Sequence, residues 1–280
     1  MPSLTSITLA ALGGLAVIPG ATASQQTVLK KPDNYVCEHP PYKPRLVSKS
    51  PLVIYLENFV TPWERAYLLA LGNSTFQPSG ITSSDRRGGQ SYPSSIRTSH
   101  STNLPPSDPV VSCIESRALR FQGLPPRARA RLEPLQLVRY EPTQHFHFHT
   151  DWFTSPETDA PPEMGGNRAT SFFAYVRVEE GTTGGGTNFP RLTLEAGEGE
   201  GDDEEWCEEG WVDCDADREE GVTFRPVEGN AVFWVNLDEQ GRGDERTLHA
   251  GLPVATGGKV GMNIWTREGV VGEEVRGGVV

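Results

Sequence analysis

The chain has 280 residues, with 37 acidic and 25 basic side chains and a formal net charge of −12; it has no stripe of Lys or Arg that would suit a polyanion, so nothing points to nucleic acid as a partner. Its length suits one sizeable domain with its own core. The acidity is local: Glu195 to Glu220 holds 14 acidic residues against one basic residue, Arg218, and the rest of the chain is close to neutral.

In chain order, Leu9 to Ile18 is a short apolar run, and Ala21-Thr22-Ala23 has the small-x-small form of a signal-peptidase site. Residues 1–23 are therefore expected to be a signal peptide, with an uncleaved anchor or a frayed terminus as the other readings, because no Lys or Arg precedes the run. The run is broken by Gly13-Gly14 and ended by Pro19, short of the roughly 20 apolar residues a membrane span needs, and no later segment qualifies. Cys37, Cys113, Cys207 and Cys214 fit an oxidising compartment, the endoplasmic reticulum lumen or the exterior, with Cys207 and Cys214 the expected disulfide pair. No Cys-x-x-Cys occurs, which argues against structural zinc. Asn73-Ser74-Thr75 is a glycosylation sequon.

Residues 24–132 read as an N-terminal extension with supporting helices and a strand. Residues 24–50 are polar and rich in Pro and Lys, an extended approach, and Leu52 to Leu56 is β-like. Thr61 is an N-cap with Pro62 at the first helical position, and the helix continues to Leu71. Ser83 to Asn103 reads as a long loop. A second helix is predicted from Pro109 to Phe121, with Val110, Ile114, Ala118 and Phe121 at helical spacing.

From Glu133 the pattern changes to short β-like runs punctuated by Gly, Pro and Asp: Leu135 to Tyr140, Ala169 to Val178, Ala231 to Val235 and Lys259 to Thr266. The expected fold is mainly β with flanking helices (α+β), helices packed outside a double-stranded β-helix, or jelly-roll, core at residues 133–268, with a tail at 269–280. The acidic stretch at about 195–220 reads as a solvated, partly disordered insertion between core strands; attracting basic substrates is its other possible use.

The segment from Arg139 to Phe153 carries the chemistry. Residues two apart on an extended strand share a face, so His149 and Asp151 can reach one metal ion. His145 and His147 share that parity and leave the register open, but Asp151 is the only carboxylate two residues from any of the three. His249, 98 residues after Asp151, adds a second imidazole. Two His and one carboxylate form the facial triad of non-haem iron(II) oxygenases, which leaves positions open for a co-substrate and oxygen. Lys259, ten residues further, supplies the cation that the remote carboxylate of a dicarboxylate such as 2-oxoglutarate requires.

This constellation resembles the prolyl 4-hydroxylase branch of the 2-oxoglutarate dioxygenases over roughly Pro51 to Glu268. His149-x-Asp151, His249 and Lys259 match that family in order and local spacing, and Tyr140 stands where it has a tyrosine near the co-substrate. Gly184-Gly185-Gly186-Thr187-Asn188-Phe189-Pro190 looks like its Gly-Gly-Glu-Thr-x-Phe-Pro turn, Gly229 to Trp234 like its Gly-x-Ala-x-x-Phe/Trp strand, and Trp265 with Arg267 like its terminal Trp-x-Arg. The resemblance implies iron(II) on His149, Asp151 and His249, and 2-oxoglutarate on Lys259, Tyr140 and Thr187. It further implies molecular oxygen as co-reactant, L-ascorbate as the reductant that rescues oxidised iron, and peptidyl proline as substrate, with release of succinate and CO2. A small-molecule substrate on the same site and a non-catalytic cupin-like binding module are the alternatives. Thr143, Gly186 and Val260 depart from the family pattern; they are expected around the active-site entrance and leave substrate choice open. His145 and His147 read as pocket-wall or supporting groups, and Trp234 and Trp265 as core aromatics.

Overall fold

The computed structural model describes residues 35–80, 95–194, 202–215 and 220–276, so the signal-peptide reading lies outside the described residues. In chain order the strands are β1 (Lys43–Lys49), β2 (Leu52–Glu57), β3 (Gln77–Pro78), β4 (His100–Asn103), β5 (Gln136–Tyr140), β6 (Phe146–His149), β7 (Arg168–Val178), β8 (Thr183–Gly184), β9 (Thr187–Phe189), β10 (Val222–Phe224), β11 (Ala231–Val235), β12 (His249–Gly251), β13 (Val254–Thr256) and β14 (Lys259–Arg267). An eight-stranded sheet has the order β1-β2-β11-β7-β14-β5-β4-β3, and a four-stranded sheet the order β10-β9-β12-β6. β8 and β13 form a separate pair.

The large sheet is covered on one face by helices and on the other by the small sheet. Period-2 alternation along its central strands divides the core accordingly. Phe172, Ala174 and Val176 of β7 and Val260, Met262 and Ile264 of β14 pack in the helix-side cluster. Phe173 and Tyr175 point the other way and join Tyr140, Phe189 and Trp234 between the sheets. A Cβ built on Gly261 would fall inside the Phe173 ring, so this glycine makes room for an inter-sheet aromatic. Burial on both faces gives these strands their continuous apolar runs.

Helix α1 (Pro62–Gly72) starts at the expected Thr61, whose hydroxyl accepts from the Glu64 backbone N–H in a capping box. Glu64 also receives both terminal nitrogens of Arg117, at 2.6 and 2.9 Å, which ties α1 to helix α2 (Pro109–Phe121). The second helix has the limits predicted for it.

Three expectations are corrected. Residues 24–50 are not only an approach, because β1 pairs with β2 at the edge of the large sheet. The supposed loop at 83–103 ends in β4, paired with β5; residues 81–94 lie outside the described set. The acidic insertion is not simply solvated. Asp202–Glu208 is helical, Cys207 and Cys214 form the expected disulfide, and Trp206, Trp211 and Val212 are buried. Both indoles lie 5.8 Å from the Tyr55 ring, and Arg45 of β1 stacks over Trp211 at 4.1 Å while pairing with Glu205 at 2.8 Å. The acid count hides three inward apolar side chains, which is why composition alone misplaced this segment.

Candidate metal centre

β6 and β12 are antiparallel neighbours, with His149 opposite His249 in the register. This ladder holds the two imidazoles 4.2 Å apart, centroid to centroid. Each ring is oriented the same way: His149 Nδ1 lies 2.8 Å from the carbonyl of His147, and His249 Nδ1 lies 2.9 Å from that of Thr247. With the Nδ1–H groups donating to those carbonyls, the lone pair of each Nε2 is left facing inward. Asp151 follows two residues after His149, and its Oδ1 is 3.8 Å from His149 Nε2 and 3.9 Å from His249 Nε2. Its Oδ2 accepts from the indole N–H of Trp265 at 2.9 Å. The three donor atoms lie within 4.8 Å of one another.

The electrostatics suit a cation. Burial and the neighbouring His249 push the His149 imidazole down to about 3, so it is neutral and free to donate its lone pair near neutral pH. Burial opposes ionisation of Asp151, but the two imidazoles, Arg168 and the Ser171 hydroxyl outweigh it and hold the carboxyl below its ordinary range. One buried carboxylate and two inward-facing Nε2 atoms make a donor set that fits an iron(II)-type divalent ion.

Lys259 opens β14 and is 1% exposed. Its ammonium lies 4.8 Å from the Tyr140 ring centroid, 5.4 Å from Phe173 and 5.9 Å from Tyr175, and donates to the Gly185 carbonyl. Burial pushes its pKa down to about 7. Tyr140 bridges the two regions, its ring beside Lys259 and its hydroxyl near Gly251, two residues past His249. Thr187 shares a 2.8 Å hydrogen bond with Tyr175. Of the six residues singled out from sequence, His149, Asp151 and His249 form the donor cluster, Tyr140 lies beside the Lys259 ammonium, and Thr187 reaches that ammonium's surroundings only through Tyr175.

The other histidines fall outside the cluster. His145 contacts the carbonyls of Thr143 and Ser95, and His147 is exposed, contributing only its carbonyl to His149. Cys37, His39 and Cys113 form a second group of possible ligands, but the two sulfurs are bonded to each other and no thiolate remains.

Of the three positions that depart from the family pattern, one packs away from the donor cluster. Val260 belongs to the helix-side core because it alternates with Lys259. A Cβ on Gly186 would stand 2.6 Å from Thr223 Cγ2, so the family's glutamate does not fit that backbone here. Thr143 is exposed, and its φ of 72° is the left-handed conformation that glycine favours.

Sequence reasoning missed several contributors. Trp265, read as a core aromatic, hydrogen-bonds Asp151; a partner 114 residues away leaves no local signal. Arg168 lies 3.7 Å over the Trp265 ring and is held by Glu133, which also binds Arg267. Arg97, from the supposed loop, reaches Gly80 O and Gln136 Oε1 and stacks over Phe146, the ring that covers His149.

Residues 135–267 match the family model of the 2OG-Fe(II) oxygenase superfamily. The chain is 30% identical over 229 residues to prolyl 4-hydroxylase 1 of Arabidopsis thaliana, covering 81% of this chain and 72% of that one. It is 31% identical over 232 residues to prolyl 4-hydroxylase 2 of the same plant, covering 80% and 70%. With prolyl 4-hydroxylase subunit alpha-3 of Rattus norvegicus it shares 30% identity over 241 residues, 84% of this chain and 37% of the relative. In fold it is similar to the crystal structure of a viral collagen prolyl hydroxylase from Paramecium bursaria Chlorella virus 1 in complex with 2-oxoglutarate, at a TM-score of 0.52 and 21% identity, over 77% of this chain and 95% of that one.

Proposed function

The chain belongs to the 2OG-Fe(II) oxygenase superfamily, among its prolyl 4-hydroxylases, and on that premise we propose that it hydroxylates peptidyl proline, with iron(II) on His149, Asp151 and His249. The observation that carries the assignment is the convergence of two oriented Nε2 atoms and Asp151 Oδ1 within 4.8 Å. Lys259 receives the remote carboxylate of 2-oxoglutarate, since it is a buried ammonium whose partners here are a backbone carbonyl and three aromatic rings. Tyr140 stands between Lys259 and the β12 strand that carries His249, and Thr187, hydrogen-bonded to Tyr175 next to that ammonium, is the proposed third co-substrate contact.

Iron(II) together with 2-oxoglutarate supplies the activation of molecular oxygen, with succinate and CO2 as the spent products. The protein's part is positioning. The Thr247 and His147 carbonyls fix the imidazole tautomers, Trp265 aims Asp151, and the aromatic wall excludes water from the ammonium. L-ascorbate is the proposed reductant for iron oxidised without substrate turnover.

We place the enzyme in the endoplasmic reticulum lumen or outside the cell. The Cys37–Cys113 and Cys207–Cys214 disulfides support this, as does an exposed sequon at Asn73, directly after α1. Among the described residues no helix is long and apolar enough to cross a membrane.

The test supplies iron(II), 2-oxoglutarate, ascorbate and a proline-rich peptide, and follows succinate and peptide mass together. Stoichiometric succinate and a gain of one oxygen on proline are expected. Succinate released equally with and without any peptide would overturn the peptide assignment.

A further inference from the structure

Asp151 has no strand ladder to fix it against His249. The β6–β12 register places His149 opposite His249, but β6 ends at His149 and Asp151 lies in the following bend. Trp265 of β14 fixes one oxygen of Asp151 at 2.9 Å, but β14 is not a neighbour of β12, so a further contact must tie the carboxylate segment to the strand of His249, 98 residues away.

The neighbour of Asp151 makes that connection. His249 is oriented by the carbonyl of Thr247, a fully buried residue at the end of the short helical turn Glu245–Thr247. That turn closes on the Asp244 carbonyl, which accepts from the Thr247 backbone N–H at 3.0 Å and its hydroxyl at 2.7 Å. The same carbonyl accepts from the indole N–H of Trp152 at 3.2 Å. The face of the indole lies on Gly243, where a built Cβ would fall inside the ring, against Cδ2, Cε3 and Cε2. Gly243 does not have a left-handed φ, so close approach of the ring, not backbone conformation, is what requires glycine there. On the other side, Trp152 is held by its carbonyl, which accepts from Thr150 Oγ1 at 3.1 Å, and by Phe153, whose N–H and carbonyl both bond the Asn167 side chain.

We infer that Trp152 is a positioning residue, seating its ring on Gly243 and its N–H on Asp244 so that Asp151 and His249 keep the spacing a shared metal ion needs. It rests on the triad assignment above, and it acts through Asp151 and the Thr247–His249 hydrogen bond without touching the metal itself. Partners that orient metal ligands in this way typically contribute about 10- to 100-fold in affinity.

The experiment is a double-mutant cycle on the full chain, read as affinity for cobalt(II) by calorimetry, with the visible bands of the bound ion reporting ligand geometry. Gly243→Ala, which adds one methyl group beneath the ring, and Trp152→Ala are each expected to weaken cobalt binding about tenfold or more and to shift the visible bands. The double variant should be no weaker than the worse single variant, because the ring that clashed with the added methyl group is gone. Trp152→Phe should recover part of the affinity by restoring a ring face. Additive losses in the cycle, or unchanged cobalt affinity and spectra in folded single variants, would overturn the inference. A wild-type protein that binds no cobalt would instead overturn the triad assignment, and the inference with it.

Discussion

His149 and His249 are cross-strand partners, so the backbone ladder that pairs β6 with β12 also sets the spacing of the two imidazoles. Replacing either by Ala leaves that ladder in place and removes one of three proposed ligands. His149→Ala, Asp151→Ala and His249→Ala are each expected to lose succinate formation and to weaken divalent-metal binding by more than about 100-fold, while far-ultraviolet circular dichroism remains that of wild type. Retention of near-normal turnover in any one of them would remove that residue from the triad.

The acidic segment around the Cys207–Cys214 disulfide is expected to matter for stability more than for chemistry. Trp206 and Trp211 are buried against Tyr55, whose hydroxyl accepts from Asn230, and Asn230 in turn accepts from the Asn58 backbone. Truncating a buried indole costs about 3 to 5 kcal/mol, so Trp211→Ala should lower the denaturation midpoint sharply. Replacing the exposed acids Glu208 and Glu209 with Gln should change it by less than about 0.5 kcal/mol. A Trp211→Ala protein as stable as wild type would return this segment to the class of solvated insertions.

What the sequence made legible follows from burial. The large sheet's central strands are apolar on both faces and stand out as continuous runs, and the two helices read from sequence, α1 and α2, carry Pro at their starts. β6 reads Phe-His-Phe-His and β12 His-Ala-Gly, so hydropathy identifies neither as a strand, and only the spacing of ligand-type residues marked them. Lys259 is legible as a cation ten residues past His249, but not as the inward partner of an alternation that sends Val260 to the helices. The contacts of Trp152, Trp265 and Arg97 span 92, 114 and 39 residues, and no local pattern encodes them.

Thr143 sits in the turn between Tyr140 and β6 with a φ of 72°, a conformation in which a β-branched side chain is strained. The turn persists because Thr143 N–H donates to Val254 O and Val254 N–H donates to Gln144 O. Strain of this kind costs of order 1–3 kcal/mol, partly offset by the larger entropy loss of glycine on folding. Thr143→Gly is therefore expected to stabilise the protein by about 1 kcal/mol, raising the melting midpoint by roughly 2–4 °C for a domain of this size. A lower midpoint would mean that the threonine side chain makes a contact worth more than the strain.

Lys259 gives the site a dependence on pH whose sign is fixed. Its pKa is pushed from an ordinary 10.5 down to about 7 by burial, and the groups facing it are the Tyr140 and Tyr175 phenols, the Phe173 ring and the Gly185 carbonyl. Both phenols are held above their ordinary range by burial and stay neutral. Below pH 7 the lysine is charged in folded and unfolded chains alike, and its burial penalty is fully present. Between about pH 7 and 10.5 the unfolded chain binds more protons, so this group makes stability of the ligand-free protein rise with pH and then level off. Lys259→Met should be more stable than wild type near neutrality by a few kcal/mol and should lack that rise. With 2-oxoglutarate on Lys259 as proposed, its binding should reverse the balance, because a dicarboxylate favours the charged lysine and draws a proton in from solution. Its KM should therefore increase as pH rises above 7, with calorimetry in two buffers of different ionisation enthalpy detecting the proton uptake. Lys259→Ala should raise KM by about 30- to several-thousand-fold, the loss of a charge-assisted contact of roughly 2–5 kcal/mol, and Lys259→Arg should recover part of it. Arg267, held by Glu133 and the Gly166 carbonyl, and Arg139, lying over Phe76 beside Glu141, are already engaged and poor substitutes. An unchanged KM in Lys259→Ala, with no proton uptake in wild type, would nevertheless assign the co-substrate to one of them.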